Sequence, residues 1–105
     1  MIERVWRGWI DPARADAYQH FLQHELLPGA HSIAGYRGAR VLRRAVGDEV
    51  EFMTITCFDS LEAIRAFAGD DAEQAHIAPR AGELLTRWEE RTVHYDLAFV
   101  DERAG

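Results

Sequence analysis

Residues 49–58, EVEFMTITCF, set the first constraint on this chain. The stretch is rich in β-branched and aromatic residues and reads as a strand. Strand alternation places Met53, Ile55 and Cys57 on one side and Phe52, Thr54, Thr56 and Phe58 on the other. Neither side is polar enough to face water alone, so a sheet built around this strand has to be covered twice. The same double pattern recurs near the end of the chain, where Val93, Tyr95, Leu97 and Phe99 alternate with Thr92, His94, Asp96 and Ala98. The aliphatic sets are assigned to covering helices. The mixed sets, with Phe52, Phe58 and His94, are assigned to a second copy of the sheet, which predicts a homodimer. An exposed apolar patch of roughly several hundred Å² is unusual on a monomer.

The rest of the chain supplies the partners of that strand. Residues 1–10 carry Val5, Trp6, Trp9 and Ile10 and read as a strand with apolar residues on both faces. Asp11-Pro12 is a helix start, with Asp as N-cap and Pro at the first helical position. The helix runs to about Leu27 and is punctuated by Pro28-Gly29, although a kinked turn could continue past it. Residues 35–58 read as two strands with a turn near 46–48. A second helix starts at Asp59 or Ser60, carries Leu61, Ile64, Phe67 and Ala68 as its stripe, and stops at Gly69. Short helical turns are expected around Pro79, and the last strand is expected over 89–100. The order is β-α-β-β-α-β, an α+β pattern of the ferredoxin-like type, with an antiparallel sheet and both helices on one face. Residues 1–100 form a single domain, and 101–105 read as a frayed tail.

Composition removes several classes of function. The net charge is −6 with no basic run, so nucleic acid is repelled overall. No window approaches the ~20 apolar residues of a membrane span. The start has Glu3 and Arg4 in place of an apolar secretory core, and Cys57 is the sole cysteine, so the expected location is the cytoplasm. All twelve cationic side chains are arginine, and the sequence contains no asparagine. There is no glycine-rich phosphate loop and no nucleotide or flavin motif.

The first helix offers two kinds of chemistry. His20 and His24 lie four residues apart, a spacing at which two imidazoles can share a metal ion. At about 100° per residue, however, Tyr18, Phe21 and Leu22 form the apolar stripe, His20 lies outside it and His24 at its border. No third ligand is in reach, and no metal is assigned. The same arithmetic puts Glu25 in the middle of the stripe. There it is a candidate acid or base with a raised pKa, a partner of an arginine, or a residue that a distorted last turn swings into water while Leu26 turns inward.

The segments GYRGARVLRR, GDEVEFMTITCFDSLEAIRAFAGDD and ERTVHYDL resemble small bacterial proteins of the antibiotic biosynthesis monooxygenase superfamily. The resemblance covers 2–97 and implies the dimeric α+β barrel fold. The superfamily includes cofactor-free oxygenases of aromatic polyketides, haem-degrading enzymes, and members without known activity. The cofactor-free enzymes use an asparagine and tryptophans lining a pocket between helices and sheet. Trp6 and Trp9 are the corresponding pocket walls, and the asparagine has no counterpart. The haem-degrading branch uses an asparagine on strand one, a tryptophan ending strand three and a histidine on or after the second helix. Phe58 stands at the second position, and His76 falls near the third.

The expected function is therefore a cofactor-independent monooxygenase, or a related proton-transfer enzyme, acting on a small aromatic or enolisable molecule. The alternatives are a dimer that binds haem or a small hydrophobic ligand without turnover, and an accessory dimer. His94, mid-strand, is the candidate base, since neutral imidazole accepts a proton near pH 7. Glu25 is the second catalytic candidate. Trp6, Trp9, Phe52, Phe58 and His76 are candidate substrate contacts. Arg40 is the candidate for orienting an anionic oxygen.

Overall fold

The computed structural model describes residues 1–103. Strand β1 (Ile2–Ile10) leads into a 3-10 turn at Pro12–Arg14. The Asp11 carboxylate caps that turn by accepting from the Ala13 amide at 2.8 Å. Helix α1 (Ala15–Phe21) continues without a break into a π-helical turn (Leu22–Leu26) and then α2 (Leu27–Ala30). Strands β2 (Tyr36–Val46) and β3 (Glu49–Phe58) follow as a hairpin. Its turn holds Gly47 at φ +59°, where a two-residue type II′ turn needs a positive φ. Helix α3 (Leu61–Ala68) is capped by Ser60, whose hydroxyl accepts from the Ala63 amide, and ends at Gly69 with φ +98°. Helix α4 (Pro79–Leu84) and the short strands β4 (Arg87–Trp88) and β5 (Val93–Asp96) complete the chain.

The sheet order is β2-β3-β1-β4, with β5 also paired to β1, and every pairing is antiparallel. This is the ferredoxin-like arrangement with the last strand broken in two. The break replaces the continuous strand expected over 89–100. The expected tail at 101–105 is exposed and without regular structure as far as Arg103; residues 104 and 105 lie outside the described residues. No helix among the described residues is long and apolar enough to cross a membrane.

Two corrections follow from packing. The helical path runs through Pro28-Gly29 to Ala30 rather than stopping there. The π-helical turn explains this: the Leu27 amide bonds to the Leu22 carbonyl, five residues back. A widened turn gives the prolyl ring room, and Pro28 then sits in the first turn of α2, where its missing N–H costs little. The second correction concerns the sheet faces. Phe52, Thr56 and Phe58 are buried under the helices, and Met53, Ile55 and Cys57 lie on the opposite, open face. On β5 the outcome is the same, with Val93 and Tyr95 exposed on the open face. The helix-covered side takes the rings, and the aliphatic chains take the other. Phe52 meets Tyr18 edge-on at 4.9 Å, and Phe58 packs between Tyr36 and Phe67.

The core is consequently split. One cluster holds Trp6, Tyr18, Phe52 and Leu84 among others. A smaller one holds Phe58, Ala63 and Ile64, with Phe67 against them. The seam between the two clusters is where the candidate site lies.

Candidate functional site

The seam is a narrow cleft between helices and sheet, with a cavity volume of about 40 Å³. Trp6, Tyr18 and Phe67 line it. Leu22, Leu26 and Leu27 close it from the helical side, and His76 and Ile77 stand on the irregular segment before α4. The indole N–H of Trp6 donates to the Glu89 carbonyl at 2.6 Å, which fixes the ring. Gly8, two residues along β1, leaves that ring its space: a Cβ there would lie 2.9 Å from Leu85 and 3.1 Å from Trp6.

The floor is polar. Arg4 and Thr56 face each other across β1 and β3, and Thr54 follows opposite Trp6. Thr56 donates to the Arg4 carbonyl at 3.5 Å. Arg4 donates through Nη2 to the Gln74 carbonyl at 3.0 Å, and its guanidinium lies 5.5 Å from the Phe67 ring centre. The Arg4 Nε and the Thr54 hydroxyl are buried without a partner. Burial lowers the Arg4 pKa to about 10, so the group is still a cation at neutral pH. Burial also raises the Tyr18 phenol well above its ordinary value, which removes it as a base.

Of the residues singled out from sequence, Trp6 and His76 line the cleft. The others do not. Trp9 lies on the open face, next to Arg7 and Arg87, because it is one residue out of phase with the inward set of β1. Arg40 is on that face too, 3.7 Å from Glu3. Phe52 and Phe58 are fully buried in the two core clusters rather than at a ligand surface. Glu25 is exposed, since the extra residue of the π-helical turn rotates it outward and brings Leu26 in. His94 faces the helix side next to Arg4 but outside the cleft, held at 3.2 Å from the Thr92 hydroxyl. Its pKa is lowered, first by burial and then by the Arg4 charge, while Glu73 and a backbone bond at Ala72 act the other way. The His20 and His24 rings lie 4.4 Å apart, tilted by 38°, on the exposed side of the helix. Among the described residues no three His, Cys, Asp or Glu side chains are grouped to hold a metal ion.

Solved structures share this architecture across their whole length. MhuD, a heme-degrader of Mycobacterium tuberculosis solved with two hemes in its active site, is 22% identical, with 97% of this chain and 100% of that chain covered and a TM-score of 0.62. A mutant of MhuD with two manganese protoporphyrin IX per active site gives 20% identity, 98% and 100% coverage and a TM-score of 0.70. The chain has the antibiotic biosynthesis monooxygenase fold. A protein of that description is 13% identical, with 93% and 99% covered and a TM-score of 0.67. The monooxygenase ActVA-Orf6 of Streptomyces coelicolor, in complex with nanaomycin D, is 15% identical, with 98% and 92% covered and a TM-score of 0.62. No family model matches the sequence, and no curated protein matches it.

Sequence reasoning missed Arg4 and Thr54. The signal for Arg4 was present: on a strand whose inward set is Trp6, Gly8 and Ile10, an arginine two residues before Trp6 shares their face.

Proposed function

We propose that this chain binds a small aromatic or enolisable molecule in the cleft and oxygenates it without a resident cofactor. The observation that carries the reading is the cleft: an apolar slot against Trp6, open between the two core clusters, with a single imidazole, His76, among its lining residues. His76 would accept the proton from an acidic C–H or O–H of the ligand. The apolar walls would keep water from the carbanion, which then reacts with O₂. For an anthrone-like CH₂ the balance is CH₂ + O₂ → C=O + H₂O, with all electrons supplied by the substrate carbon. ActVA-Orf6, a monooxygenase of the same fold, supports the reading.

The cavity as it stands, about 40 Å³, is too small for substrate, since ligand pockets run to roughly 300–1,000 Å³. Entry therefore requires Leu22, Leu26 and Leu27 to change rotamer and the irregular segment around His76 and Ile77 to shift. Haem asks for a far larger opening. A slot of about 40 Å³ with its one imidazole on an exposed position does not fit a porphyrin in this arrangement.

The open sheet face supports the expected pairing of two copies, through the aliphatic set rather than the mixed one. Ile55, Val5 and Val93 form a row across β3, β1 and β5, and Leu42 lies opposite Met53.

Oxygen uptake with anthrone, quinol and β-diketone substrates tests the activity. The expected result is uptake above the uncatalysed rate that falls about 10²-fold or more in His76→Ala. No turnover across the panel would sink the reading. A Soret shift on haem titration that disappears in His76→Ala would replace it with haem binding.

A further inference from the structure

We propose that Arg4 and Thr54 form an anion-holding subsite on the floor of the cleft, so that the ligand carries an anionic oxygen on its ring system: a phenolate, an enolate or an aryl carboxylate. The inference rests on the reading of the cleft as a ligand site and adds the charge and class of the ligand.

Arg4 is unusual among the arginines of this chain. Eight others lie within 4.0 Å of a carboxylate: Arg7, Arg37, Arg40, Arg43, Arg44, Arg80, Arg87 and Arg91. All eight have solvent-accessible side chains. Arg4 is only 6% exposed and, among the described residues, has no carboxylate within ion-pair distance. Water compensates the exposed arginines, but a buried cation without a counter-ion carries a large desolvation cost. The neighbouring His94 cannot supply a negative charge. The Gln74 carbonyl engages Nη2 and leaves Nε free.

Two residues that line the cleft, Arg4 and Thr54, thus each bury a donor without a partner among the described residues: the Arg4 Nε–H and the Thr54 hydroxyl. Unsatisfied buried polar atoms are rare in native proteins, and each asks for a partner. An anionic oxygen that enters as the cleft opens would satisfy both. It accepts from the guanidinium in a charge-assisted bond and from the hydroxyl in a second bond, while its rings lie between Trp6 and Phe67. The net charge of −6 makes this selective in an informative way. The protein as a whole repels anions, so a preference for one can only come from a local cation.

The test uses the full chain and two probes with the same rings, 2-naphthoate and 2-naphthamide, titrated by calorimetry. The parent is expected to bind naphthoate at least about tenfold more tightly than the neutral amide. Arg4→Met should remove that preference by weakening naphthoate alone, and Thr54→Val should weaken naphthoate severalfold. Leu26→Trp, which fills the cleft, should weaken both probes. Arg4→Gln serves in place of Arg4→Met should the latter not fold. Equal binding of the two probes by the parent, or a naphthoate preference that survives Arg4→Met, overturns the subsite and leaves the cleft as a ligand site. Binding of neither probe, or binding that ignores Leu26→Trp, overturns the cleft reading and the subsite with it.

Discussion

The Leu27 amide donates to the Leu22 carbonyl, five residues back, and this one bond decides what the first helix presents to the cleft. An α-helical turn would aim Glu25 inward. The π-helical turn contains one more residue, so Leu26 lines the cleft and Glu25 stands in water. Such bulges recur at functional sites, and here the bulge makes a wall apolar that a regular helix would have made acidic.

Glu25→Ala is therefore expected to change stability by no more than about 0.5 kcal/mol, as for other exposed positions. Leu26→Ala, at the half-buried neighbour, should cost about 1–2 kcal/mol from lost apolar burial. Urea unfolding monitored by circular dichroism separates the two. A cost above about 1.5 kcal/mol for Glu25→Ala would mean that the carboxylate is buried after all.

Phe52 has no exposed surface and anchors Tyr18 against the sheet. Phe52→Ala should cost about 3–5 kcal/mol, a large share of the stability of a domain this size. Phe52→Leu should recover more than half of that by refilling the space. The midpoint of chemical unfolding measures both. A mild effect of Phe52→Ala would indicate that the rings face a second copy rather than the helices.

The pH dependence of stability carries a signature of His94. Burial and the Arg4 charge hold its folded pKa below the unfolded value of about 6.5. The unfolded chain then binds more protons in that interval, so stability rises with pH there. The contribution is complete above about 6.5 and is lost as pH falls through the lower folded pKa. Asp59 and Asp71, whose arginine partners lower their pKa values, titrate further down and do not confuse the window. His94→Gln should flatten the slope of melting temperature against pH just below about 6.5. An unchanged slope would place the titrating group elsewhere.

Most of the fold was readable because its signals are local. Asp11-Pro12, Ser60, Gly47 and Gly69 act within a few residues, and each marks the boundary it should. Strand alternation likewise sorted each strand into two faces. It did not say which face the helices take, because both sets on β3 carry large apolar side chains. That inversion carried Phe52 and Phe58 into the core. The separate placement of Trp9 follows from phase alone: odd positions of β1 leave Trp6 behind. The distorted last turn was one of the readings the sequence left open for Glu25, and the π-helical turn is the form it takes. Arg4 was legible by the same phase, since even positions of β1 share the face of Trp6.

The open face supplies the last prediction. Leu42, Val93 and Tyr95 are 53%, 49% and 58% exposed, and they flank the row formed by Ile55 and Val5. A stable interface of standard size buries about 800 Å² on each partner. A two-fold arrangement would place the same apolar rows against each other and let the charges at its margin, Arg40 and Glu3 among them, pair around it. Sedimentation equilibrium of the parent should give a dimer at micromolar concentration. Leu42→Glu combined with Met53→Glu, two cross-strand neighbours on that face, should give a folded monomer with an unchanged far-ultraviolet spectrum. A parent that sediments as a monomer at tens of micromolar, or a doubly substituted chain that still dimerises, would exclude this face as the contact.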